Sequence, residues 1–95
     1  VPLGVLEACP EIAELCLEVG AIGLEASLSD AGTGAQMARA AAGGAYQNVC
    51  INAKDLADRE ARAALLARAD AAWSRVRELH VRAEAEVLDA LRRGL

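Results

Sequence analysis

Apolar residues recur at intervals of three and four along most of the chain, the period of an amphipathic helix. In the first stretch Leu3, Leu6, Cys9, Ala13, Cys16 and Val19 keep that spacing. Ile12, Leu15 and Ile22 widen the stripe, and Glu7, Glu11, Glu14 and Glu18 run beside it as an acidic row. A helix is therefore predicted from about Leu3 to Ile22. Pro10 lies inside it and predicts a kink or a restart, because proline removes one backbone hydrogen bond. Gly20 and Gly23 predict a frayed end.

Residues 23–28 are read as a short link, and Ser29 and Asp30 as alternative N-caps of a second helix from about Asp30 to Ala53. That helix is rich in small residues: Gly32, Gly34, Gly43 and Gly44 lie among alanines that include Ala31, Ala35, Ala38, Ala41, Ala42 and Ala45. Each interior glycine costs roughly 1 kcal/mol, so close tertiary packing has to offset it. The second helix is accordingly expected to be the buried central one. A break near 43–44, or a backbone surface kept bare for a ligand, are the other readings of the glycine pair.

The third stretch opens with Asp58 as N-cap and runs to about Arg92. Leu65, Ala69, Ala72, Val76, Leu79 and Ala83 form one row, and Leu66, Trp73, His80 and Val87 a second. Arg68, Arg75 and Arg82 flank this seam, and Glu78 with Arg82 forms an i,i+4 pair. Such a helix is about 50 Å long, so its far end is expected to pack on something outside the chain. The resulting class is all-α: an antiparallel bundle with three helices in this chain, completed by a partner subunit or by N-terminal helices outside it.

Composition agrees. Ala is the commonest residue, Phe is absent, and Tyr46 and Trp73 are the only aromatics, so an all-β fold is disfavoured. The net charge of −4 argues against a nucleic-acid partner. Charge is uneven: Arg39 is the only basic residue in 1–48, whereas 49–95 is mixed. Cys9, Cys16 and Cys50 form no metal-like cluster and read as reduced thiols of a cytoplasmic protein. No apolar run approaches the roughly 20 residues of a membrane span, and no signal peptide is recognisable. The chain begins at Val1, which suits a processed or partial product.

No Walker loop, HExxH, CxxC or GxSxG is present. His80, the single histidine, reads first as a packed residue, and no metal is expected. Asn48 and Asn52, four apart, share a helix face. They either end the helix and form a structural network, or present two carboxamides to a heterocycle. Ser29 and Asp30 are either a cap or a carboxylate beside a reacting centre. Lys54 and Arg39 can meet carboxylates or simply be solvated.

The run Ser29-Asp30-Ala31-Gly32-Thr33-Gly34-Ala35, followed by Ala45-Tyr46-Gln47-Asn48-Val49-Cys50-Ile51-Asn52, resembles the cyclodeaminase domain of the formiminotransferase-cyclodeaminase family, which carries SDAGVGA and then GAxxNVxIN. Val1-Pro2-Leu3 and the Glu-rich helix look like the family's VPL segment, and Asp55 or Asp58 fits its following turn. The resemblance implies an all-helical, dimeric, folate-dependent one-carbon enzyme, acting as a formiminotetrahydrofolate cyclodeaminase or a methenyltetrahydrofolate cyclohydrolase. It implies a tetrahydrofolate derivative as substrate, a homo-oligomer, and no membrane. Carried over by position, Asp30 is the catalytic candidate; Ser29, Asn48 and Asn52 line the folate site, and Lys54 serves the glutamate tail. The family's Gly-rich PTPGGGS-type loop is not in this sequence, and Leu24, Cys50 and Ala53 depart from its usual residues. The contrasting class is a non-catalytic helical interaction or assembly subunit.

Overall fold

The computed structural model describes residues 2–22 and 25–93. Three helices run up, down and up: α1 Pro2–Ile22, α2 Glu25–Ala53 and α3 Arg59–Arg93. Each packs on the other two, and the rod measures 56 × 16 × 15 Å. The all-α bundle is thus as expected from the heptad-like apolar rows.

Two boundaries differ from the sequence expectation. α2 begins at Glu25, so Ser29 and Asp30 lie in its second turn instead of capping it. Glu25, Ala26 and Leu28 are good helix formers and carry the helix past the Ser-Asp signal. α1 passes through Pro10 without a break. The Gly43-Gly44 pair does not interrupt α2 either. Gly23 and Leu24 lie outside the described residues. Asp58 caps α3 as its sequence position predicts: its Oδ1 accepts from the backbone N–H of Glu60 at 2.9 Å and of Ala61 at 3.3 Å.

The core is built largely of alanine. Among the described residues nine of the sixteen buried apolar ones are Ala, and Leu6, Leu79 and Val76 are the largest side chains wholly enclosed. Small side chains let the helices approach closely. A Cβ on Gly34 would meet the Cys16 sulfur at 2.8 Å, and one on Gly32 would meet a Val87 methyl at 3.1 Å. That second approach marks how far α2 reaches along α3. The N-terminal half of α2 covers α3 as far as Val87, which is buried, so only the last turns extend past the packed helices.

Helix α2 is not the fully enclosed helix its glycines suggest. It buries one face, through Leu28, Ala31, Ala35, Ala38, Ala42, Ala45, Val49 and Ala53. Its opposite face leaves Met37 at 67% and Ile51 at 58% exposure, around Ala40, Ala41 and Gly44. On neighbouring α1, Val5, Ile12 and Leu15 are also exposed. The α1–α3 seam is polar instead. Arg68 grips Glu7 bidentately at 2.6 and 3.1 Å, and Arg75 reaches Glu14 at 2.9 Å. Such exposed pairs contribute little stability, but they fix the α1–α3 register. Arg75 also takes Glu78 at 3.3 Å, which replaces the expected Glu78–Arg82 pair.

Candidate functional site

Gly44 has open space where a side chain would stand, and Ala40, Ala41 and Ala45 add only methyl groups. With Pro2 and Val5 of α1 these residues form an open groove of about 390 Å³, and Asn48 stands at its edge. Asn52 follows one turn later, exposed like Asn48. The two amides therefore share a wall, as their spacing requires, beside a surface nearly free of side chains.

Asp30 and Ser29 are exposed as well. Asp30 lies on the same face of α2 as Asn48, since five turns bring the helix back to nearly the same azimuth. Those five turns also separate the two by about 27 Å. Within one chain the carboxylate and the amides therefore lie toward opposite ends of α2. Lys54 diverges in azimuth. It lines a second groove, of about 370 Å³, between the end of α2 and the start of α3, with Tyr46, Cys50, Ala53, Arg62, Leu66 and Asp70.

The aromatic pair missed as a functional feature borders this second groove. Tyr46 stacks on Trp73 with ring centroids 5.9 Å apart and planes at 19°. The guanidinium groups of Arg39 and Arg77 lie 5.7 and 5.1 Å from the Trp73 ring centroid, within cation–π range. Tyr46 donates its O–H to Asp70 Oδ1 at 2.5 Å. That bond first, and burial second, push the Tyr46 hydroxyl up to about 12. The sole occurrence of each aromatic was the available sequence signal, but no spacing rule links Tyr46 to Asp70 across two helices.

The sign of this shift gives a prediction. The folded protein holds the phenolic proton more tightly than the unfolded chain does. The stabilisation is therefore complete below pH 10 and is lost as pH rises from about 10 to about 12. Because Tyr46 is the only tyrosine, its ultraviolet titration reads the group directly. A midpoint near 12 is expected in the folded chain, moving down in Asp70→Ala; an unmoved midpoint removes the Asp70 bond as the cause.

A third groove, of about 520 Å³, lies farther along α2 and α3 at Gln36, Arg39, His80, Val81 and Glu84. His80 Nε2 is 3.5 Å from Glu84 Oε2. Among the described residues no three His, Cys, Asp or Glu side chains are grouped to hold a metal ion. No described helix is long and apolar enough to cross a membrane. The thiols are free; burial pushes those of Cys9 and Cys16 up.

Residues 1–71 match the family model described as formiminotransferase-cyclodeaminase. The chain belongs to the formiminotransferase-cyclodeaminase family. Membership ties it to folate-linked one-carbon chemistry. The matched span takes in α1, α2 and the first turns of α3, hence both the Asn48 groove and the Lys54 groove. The His80 groove includes residues beyond it. No curated protein and no solved structure matches the chain. In this family member the Ser29–Ala35 and Ala45–Asn52 segments both lie on the single helix α2, with Asp30 near one end and the amides near the other.

Proposed function

We propose that residues 1–95 are the C-terminal part of a cyclodeaminase-like domain. The complete domain closes 5-formiminotetrahydrofolate to 5,10-methenyltetrahydrofolate and releases ammonia. N10 of the folate attacks the formimino carbon and forms the second C–N bond. The tetrahedral carbon then expels its original nitrogen as ammonia. That nitrogen receives one proton that N10 gives up and one from solvent, and the methenyl product keeps the positive charge. This chemistry needs positioning and one acid–base group. Asn48 and Asn52 orient the pterin and the one-carbon unit, with Ser29 and Asp30 approaching from the other side; Asp30 moves the proton.

The observation that carries this reading is the bare face of α2 with Asn48 at its edge, in a chain of this family. The separation of about 27 Å supports a homodimer on this reading. A second α2, laid antiparallel on the first with the two-fold axis near Ala40, sets Asp30 of one copy against Asn48 and Asn52 of the partner subunit. Met37, Ala40, Ala41 and Gly44 lie at the crossing. Ala40, Ala41 and Gly44 permit close approach, and the exposed thioether chain of Met37 adds apolar surface for the partner to cover.

The test is absorbance of the methenyl product with ammonia release, measured on the full-length protein. Methenyl formation with ammonia is expected from a dimer, and Met37→Glu is expected to lose dimer and turnover together. Hydrolysis of the methenyl compound without ammonia chemistry would make the domain a cyclohydrolase. A dimer with neither activity would make it a non-catalytic assembly subunit.

A further inference from the structure

The outward face of α3 carries a second inference, independent of the folate reading because none of the residues assigned to folate lies on α3. The outward side of a surface helix is ordinarily charged. On α3 it is a row at alternating steps of four and three, with Ala64, Ala67, Ala71, Val81, Ala85 and Leu88 as its apolar members. Ser74 and Glu78 fill the middle of the row, and Glu60 and Arg92 stand at its ends. Every position of the row is exposed, Val81 at 66% and Leu88 at 45%. The neighbouring cations Arg68 and Arg75 point away from it, held by Glu7 and Glu14 of α1.

This is the spacing of a coiled-coil seam, and it runs for about 48 Å. The row is complementary to itself when reversed. In an antiparallel pair with the two-fold axis between Ser74 and Glu78, Ala64 faces the partner's Leu88 and Ala71 faces the partner's Val81. Small meets large in these layers, and Ala67 with the partner's Ala85 sets a close approach. Beside the axis the Ser74 hydroxyl donates to the partner's Glu78. At both ends Glu60 faces the partner's Arg92. Among the described ion pairs within the chain neither Glu60 nor Arg92 takes part. A parallel copy would instead set Glu60, Glu78 and Arg92 each against its own kind. Along one edge Asp70, Arg77 and Glu84 alternate in sign, so the two Arg77 groups near the axis stand among carboxylates.

We propose that a second copy of this chain docks on this face, α3 against α3 and antiparallel. The same patch serves both copies, as a two-fold contact requires. It is separate from the Met37 face of α2, so a chain that uses both faces assembles beyond a dimer.

The test is sedimentation equilibrium of the full chain carrying Met37→Glu, which takes the α2 contact out of the reading. A dimer is expected to persist. Adding Ala71→Glu sets a charge against the partner's Val81 and is expected to raise the dissociation constant roughly tenfold or more. Glu60→Arg and Arg92→Glu, each alone, place like charges at both ends and are expected to weaken the dimer by a similar factor. The two together exchange the charges and are expected to restore the dimer to within about threefold. All three sites are exposed, so unchanged helical circular dichroism is expected and shows that the fold is intact. A chain that stays monomeric up to about 1 mM overturns the proposal, as does a dimer that Ala71→Glu leaves unchanged. Failure of the doubly exchanged chain to recover overturns it as well, because only antiparallel pairing brings Glu60 to Arg92. None of these measurements reads folate turnover, so this proposal and the folate reading fail separately.

Discussion

Asp30→Asn in the full-length protein is expected to lower folate turnover roughly tenfold or more and to leave the melting midpoint in place. The two halves of that result rest on different links of the argument. Turnover falls because Asn is nearly the shape of Asp but cannot take or give the proton that moves from N10 to the departing nitrogen. Stability holds because Asp30 is exposed in the second turn of α2, and surface changes of this kind stay within about 0.5 kcal/mol. Turnover and dimer formation are measured on the same sample. Unchanged turnover removes Asp30 from the mechanism; lost turnover with a lost melt makes its role structural.

Leu6→Ala is expected to have the largest effect on folding, lowering stability by about 2–5 kcal/mol. Leu6 is 0% exposed and packs in the cluster with Cys9, Ala42, Ala45, Val49, Ala69 and Val76. Most of its neighbours in that cluster are small, and alanines cannot extend into a vacated space. The cavity therefore persists, and with it the lost dispersion of every atom that faced Leu6. A loss of that size is a large share of the roughly 5–15 kcal/mol that holds a small domain together. Urea unfolding measures it, with Ile12→Ala as the comparison, since Ile12 is 47% exposed. A Leu6 cost no greater than that of Ile12 would show that the cluster is not the centre of the core.

The acidic row of α1 and the arginine row of α3 were both visible in the sequence, and they do meet, at Glu7–Arg68 and Glu14–Arg75. Their meeting follows from periodicity alone, because two amphipathic helices that share an apolar seam also align the residues beside it. The start of α2 was misjudged for a local reason. Ser-Asp is a strong cap signal, but the helix formers before it were stronger. Lys54 lines a different groove from Asn48, because sequence proximity to Asn52 says little about direction once the helix has ended.

The sequence by itself determined the all-α class, the three apolar rows, the Asp58 cap and the family, because each depends on residue type and spacing along one chain. It also determined that Asn48 and Asn52 share a face of α2. Only the tertiary structure decided which face of α2 is buried. It alone brought Tyr46 to Asp70 and Trp73, and it divided Asn48 and Lys54 between two grooves. The physical reason is that helical period fixes azimuth, whereas burial, distance and pairing depend on which neighbours pack against each face.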